Sequence, residues 1–107
     1  MNLSIRFKGF EASDNVKEYV ESRCRKLEKF LPPTIKINAN LEDKKMRKLV
    51  EINLRHRGSD YVASQASENL YTSIDDAVDK LLRQLSKAKD KKQSKGGIQK
   101  EVVMDLD

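Results

Sequence analysis

The chain has 107 residues, 37% hydrophobic and 36% charged, with a formal net charge of +5 and a pI near 9.4. That is room for one domain with one modest core, and the basic excess favours a polyanionic partner, nucleic acid or an anionic membrane surface, without proving either. The opening MNLSIRFK holds no apolar h-region, no apolar run approaches the ~20 residues of a membrane span, and Cys24 is the sole cysteine, so the expectation is no secretory signal, no membrane, no intrachain disulfide and a reducing cytoplasmic setting.

Residues 2–8 alternate, with Leu3, Ile5 and Phe7 on one side and Ser4, Arg6 and Lys8 on the other. This is the period of a half-buried strand, and Gly9 breaks it. Ser13 is a natural N-cap, with Asp14 suiting the positive end of the helix that follows. Val16, Val20, Cys24, Leu27 and Leu31 then recur at steps of four and three, an amphipathic helix that Pro32 and Pro33 end. Residues 34–42 alternate again, with Ile35, Ile37, Ala39 and Leu41 inward. Residues 43–48 read as a charged loop and 49–57 as a third strand, with Val50, Ile52 and Leu54 inward. Gly58-Ser59 is a turn signal, so strands two, three and four are expected as antiparallel hairpins. The fourth strand, 60–66, has two readings: Tyr61 and Ala63 inward, or Val62 and Ala66 inward, because one residue of shift swaps the faces.

Ser67 or Asn69 caps a second helix, whose stripe is Leu70, Ile74, Ala77, Val78, Leu81, Leu85 and Ala88. The stripe stops at Asp90, and KKQSKGG reads as fraying helix passing into a flexible tail. The expected domain is therefore 1–92, with a tail at 93–107. The fold class is α+β, in two layers of order β-α-β-β-β-α, with two helices on one face of a four-stranded sheet.

The cations are arranged rather than scattered. Lys80, Arg83, Lys87 and Lys91 fall three, four and four residues apart, one stripe on the second helix with Gln84 inside it. Asp75, Asp76 and Asp79 lie on the other flank, toward the helix start. Lysines near a helix C-terminus suit its dipole, but a stripe beginning mid-helix exceeds that need and marks an electrostatic footprint. On the first helix Arg25, Lys26 and Lys29 share an outer flank opposite Glu18, Glu21 and Glu28. Arg23 falls at the edge of the apolar stripe, its stem buried and its guanidinium reaching out. Whether the two basic flanks meet is open at this level. Lysine and arginine along a helix can bridge several phosphates of a folded RNA, releasing counterions and recognising shape rather than bases.

No catalytic constellation or metal site is expected, and neither a cofactor nor a small-molecule substrate. His56 stands at a strand end with no second ligand at spacing, Cys24 lies on an apolar stripe, and Gly96-Gly97 is not a phosphate loop. The aromatics form no paired stacking platform, and Tyr71 is expected to pack against the sheet.

The second helix also carries a resemblance. Leu70-Tyr71, Ile74-Asp75, Asp79-Lys80-Leu81, Arg83-Gln84-Leu85, Lys87 and Lys89-Asp90-Lys91 resemble the hallmark of the bacterial ribosome hibernation-promoting factors and the related ribosome-associated inhibitor. Asn69 and Ser73 stand where that family has Asp and Ala. Lys26-Leu27-Glu28-Lys29, Arg23 and Ala63-Ser64 extend the likeness, which spans about residues 1–92. It implies a layout similar to double-stranded-RNA-binding domains. It also implies a monomer off the ribosome that sits in the channel between head and body of the small ribosomal subunit. There it would occupy the messenger and transfer RNA sites and inhibit translation in stationary phase or stress. By the same carry-over Arg23, Lys26, Lys80, Arg83, Lys87 and Lys91 hold ribosomal RNA, with Lys29 less uniform in the family. The chain resembles the family's short form, and its tail does not say whether ribosome pairing is promoted or opposed. Two rivals stay open: a protein-binding modulator of an alternative sigma factor, and a general binder of double-stranded RNA.

Overall fold

A computed structural model describes residues 1–9 and 11–93, with side chains through Ala88. Four strands, β1 (Asn2–Lys8), β2 (Lys36–Lys44), β3 (Arg47–His56) and β4 (Ser59–Ser67), form one sheet in the order β1-β2-β3-β4. β1 and β2 pair in parallel and the remaining neighbours antiparallel. A parallel pair needs a crossover. That crossover is α1 (Asp14–Cys24), continued by a 3-10 segment, Arg25–Phe30; α2 (Leu70–Gln93) follows β4. The expected α+β architecture is the observed one. The flexible tail expected beyond the second helix lies, from residue 94 on, outside the described residues, and Gln93 is still helical.

Pairing places the inward side chains in rows across the sheet: Leu3-Ile37-Leu54-Tyr61, Ile5-Ala39-Ile52-Ala63 and Phe7-Leu41-Val50-Gln65. Ile37, Ala39, Leu41, Val50, Ile52, Leu54 and Ala63 are buried, together with Val16, Val20, Cys24 and Leu27 of the crossover and Ile74, Ala77, Val78, Leu81 and Leu85 of α2. Every buried strand residue is on the same face, so both helices lie there. The first reading of β4 is therefore correct: Tyr61 and Ala63 face the core, while Val62 is 45% exposed. The register follows from the turn, which is one residue earlier than the Gly58-Ser59 signal. His56 pairs with Ser59, and the turn residues Arg57 and Gly58 have φ of 54 and 78, the pattern of a type I′ hairpin.

The charged loop expected over 43–48 is shorter, because Lys44 pairs with Arg47 and only Lys45 and Met46 turn the chain. The first helix also differs from a continuous α-helix. It tightens at Arg25 into the 3-10 form, and Leu31 is extended at φ −131 and ψ 152. The residue before a proline is pushed out of the α region, and helix ends commonly tighten in this way. Gly9 ends β1 at φ 90, where an added Cβ would stand 3.0 Å from the Asp43 carbonyl oxygen.

Ser13 caps α1 by accepting from the Val16 N–H at 3.4 Å. Of the two candidate caps for α2, Asn69 holds the position: its Oδ1 accepts from Tyr71 and Thr72 N–H at 2.8 and 3.3 Å. Ser67 instead shares a hydrogen bond with Ser73 (2.8 Å), and buried Ser73 donates to the Lys48 carbonyl (2.8 Å). A hydroxyl at position 73 thus ties the start of α2 to β3, with its polar atom satisfied as burial requires.

Burial in the core pushes the Cys24 thiol up from 9.0 to about 12. The fold favours the neutral thiol, so its contribution is complete below about pH 9 and is lost as pH rises toward 12. Urea unfolding of the natural chain and of Cys24→Ala across that window tests this. The stability difference should move against the natural chain by up to about 1.4 kcal/mol per pH unit. A difference flat with pH means the thiol ionises as freely as in the unfolded chain.

Candidate nucleic-acid interface

The two helices run side by side in the same direction. Tyr19 meets Tyr71 in an edge-to-face contact with centroids 4.7 Å apart, Arg23 meets Asp75, and Lys29 and Phe30 meet Leu82, Arg83, Ser86 and Lys87. Tyr71 is therefore packed on α1, not on the sheet, and is 41% exposed.

Asp75 is the polar hub of this seam. The Tyr19 hydroxyl donates to its two oxygens at 2.7 and 2.9 Å. Arg23 Nε stands 2.8 Å from Oδ1, an ion pair whose N–H is not aligned as a hydrogen bond. The guanidinium also lies 5.1 Å from the centre of the Tyr19 ring. The Tyr19 phenol first and the Asp75 carboxylate second favour the charged guanidinium. Arg23 thus differs from the expectation: it is half-buried and reaches sideways to α2 rather than straight out. The pair is made through Nε.

Residues three apart eclipse in a 3-10 helix. The tightening at Arg25 therefore stacks Lys26 over Lys29 on one face, both exposed. Arg25 leaves that set and pairs with Glu21 at 2.9 Å, one turn back on the outer surface. Lys29 lies 5.9 Å from the Phe30 ring centre, and with Phe30 it forms one wall of a shallow groove. Leu82, Arg83, Ser86 and Lys87 form the rest. The question of whether the basic flanks meet has an answer: they join at Lys29, Arg83 and Lys87.

Lys80 and Gln84 are both half-buried on α2. Gln84 Nε2 donates to the Val62 carbonyl at 2.9 Å. It blunts the open edge of β4 and turns its flank of α2 toward that edge, while Lys80 stays by spacing nearly in line with Lys87. Arg83, one residue from Gln84, is rotated toward the 3-10 segment. Lys80, Arg83 and Lys87 thus keep to one stripe of α2, with Gln84 on its β4 side. Lys91 is helical in its backbone, but its side chain lies outside the described residues.

Sequence reasoning missed two neighbours of this cluster. Arg57, at the tip of the β3–β4 turn, and His56 before it line a second hollow with Lys29 and Phe30. The signal available was the two-residue turn, which places Arg57 beyond the strand end. Among the described residues no group of three or more His, Cys, Asp or Glu is placed to hold a metal ion, and no helix is long and apolar enough to cross a membrane.

Residues 3–93 match the family model described as sigma 54 modulation protein / S30EA ribosomal protein. The chain belongs to this family. A ribosome hibernation promoting factor of Klebsiella oxytoca is 32% identical over 91 residues, covering 85% of this chain and 96% of the relative. One from Escherichia coli K12 is 31% identical over the same shares. A ribosomal subunit interface protein from Coxiella burnetii superposes with a TM-score of 0.73 at 26% identity, over 84% of this chain and 99% of the other. The N-terminal domain of Thermus thermophilus Protein Y gives 0.75 at 24% identity, over 82% and 99%, a likeness of fold alone. The S30EA family resemblance noted in α2 thus extends over all four strands and both helices.

In this family frame the Asp75 hub is a strut between helices. A double-mutant cycle of Arg23→Gln and Asp75→Asn by urea unfolding should give a coupling of about 0.5–1 kcal/mol, modest because both side chains are about a third exposed. Zero coupling would show that the contact holds nothing together.

Proposed function

We propose that this chain is a non-enzymatic ribosome hibernation factor working in the cytoplasm. It binds ribosomal RNA in the decoding channel of the small subunit, between head and body. It blocks the messenger and transfer RNA sites there, and so inhibits translation in stationary phase or stress. One observation carries the reading: cations from both helices converge on one groove, Lys29 from one side and Arg83 and Lys87 from the other. Membership of a family whose relatives are named ribosome hibernation promoting factors supports ribosomal RNA as the polyanion that the groove meets. Residues 1–92 are the binding unit, a monomer off the ribosome.

Lys26, Lys29, Lys80, Arg83, Lys87 and Lys91 neutralise phosphates, each releasing counterions. Arg23 adds its charge at the seam, where it also pairs with Asp75 of α2. Such contacts position a protein on RNA without reading its bases. The shape of the RNA selects the site, as is usual for helical RNA.

Replacing Lys80→Glu, Arg83→Glu and Lys87→Glu together should abolish co-sedimentation with small subunits while the thermal melt stays cooperative. Retained sedimentation of the folded triple variant overturns the footprint. In the natural chain, affinity should fall about 10³-fold between 50 and 200 mM salt, as for six neutralised phosphates on a duplex. The family description also names sigma 54 modulation, and that reading predicts a protein interface with a much shallower salt response. Plain duplex RNA binding as tightly as small subunits would point instead to a general double-stranded-RNA binder.

A further inference from the structure

Phe30 separates two hollows. One is the shallow groove between the 3-10 segment and α2. The other, of about 270 Å³, opens where the 3-10 segment, the β3–β4 turn and α2 converge. Lys29, Phe30, His56, Arg57 and Tyr61 line it, with Leu85 of α2 beside them. Sites for drug-sized ligands begin at about 300 Å³, so this hollow suits a single ring system. Its wall combines two aromatic rings with the cations of Lys29 and Arg57, and no carboxylate is among its lining residues. Asp60, on the strand next to the turn, is held by Arg55 at 2.7 Å.

The turn itself adds an independent observation. Arg57 is exposed at φ 54, in the left-handed region that Gly or Asn occupies with less strain. A type I′ turn needs no guanidinium, and Asn-Gly is its favoured pair. The turn thereby sets a long cationic side chain beside the aromatic-lined hollow.

We propose that this hollow receives one unstacked base of the RNA whose phosphates lie on the helical cations. The base packs against Phe30 and Tyr61, and its phosphate is met by Arg57 and Lys29. Folded RNA exposes single bases at bulges and loops, and proteins take them on aromatic rings and arginine planes. The hollow shares Lys29 and Phe30 with the basic groove, so an RNA strand on the groove passes its mouth. This inference rests on the RNA-binding reading above and adds to it a base contact that phosphate neutralisation does not supply.

The test uses the full chain on small ribosomal subunits. Ultraviolet cross-linking, nuclease digestion and mass spectrometry of the peptides should find a nucleotide adduct on Phe30 or on residues 56–61. Phe30→Leu keeps an apolar side chain and should weaken binding about tenfold, the scale of one base–aromatic stack. It should do so equally at low and high salt, because stacking releases no counterions. Arg57→Asn suits the turn and should also weaken binding, lowering the salt slope by about one. Thermal melts establish that each variant is folded. Natural-level binding by Phe30→Leu and no adduct on the natural chain, with the Lys80, Arg83 and Lys87 triple variant unbound, overturns the hollow and leaves the footprint standing. A loss confined to Arg57→Asn means a phosphate contact only and overturns it too. Adduct formation that survives in the triple variant upholds the hollow and overturns the footprint.

Discussion

The apolar face of a four-stranded sheet must be covered, and strand order decides how. β1 is parallel to β2, β3 is antiparallel to β2, and β4 antiparallel to β3. β1 and β4 therefore run the same way, and each is followed by a helix that returns across the same face. Both helices must then point in one direction, which brings their C-terminal ends to one end of the domain. Each of those ends carries the negative pole of a helix dipole, and cations are stabilising there. Lys29, in the last turn of the 3-10 segment, suits one of these poles, whereas Arg83 and Lys87 stand well before the end of α2 at Gln93, beyond the reach of its last turn. Topology thus brings cations of two elements together, and those of α2 exceed what its dipole alone would favour.

The gathering leaves the two N-terminal halves with the opposite sign. Asp75, Asp76 and Asp79 stand on the early turns of α2. Only Asp75 is turned into the seam, where the Tyr19 phenol and the Arg23 guanidinium hold it. A carboxylate in that place would repel phosphate if left alone, and pairing with Arg23 mutes it. The same pairing sets the helix spacing that lets Lys29 face Arg83. Acid and base are thus coupled through one strut, which is why Arg23 belongs to the packing as much as to the surface.

Most of the fold was legible because burial leaves a period. The stripe Val16, Val20, Cys24, Leu27, Leu31 and the alternation of Ile37, Ala39 and Leu41 each announce an element and its inward face. The basic stripe of α2 was legible for the same reason, as a spacing on one helix. Three features left no such trace. The 3-10 tightening at Arg25 keeps Leu27 and Leu31 buried, so the apolar spacing does not register it, yet it removes Arg25 from the row of Lys26 and Lys29. The turn at Arg57-Gly58 depends on an arginine at positive φ, against the preference of the residue type. The Arg23–Asp75 pair joins residues in different elements, and no periodicity within either one reports it. Local pattern reveals which face is inward; it does not reveal which outward side chains become neighbours.

That distinction also decides what recognition this surface can perform. A row of lysines on a single helix is a line of charge, tolerant of any phosphate track it meets. Two sets of cations meeting at one groove, with acids behind them on α2, define a direction as well as a charge. A polyanion lying across the C-terminal halves gains contacts from both helices, while one displaced toward Asp76 and Asp79 loses them and meets like charge. The orientation of a bound polyanion would then follow from the gradient along the helices.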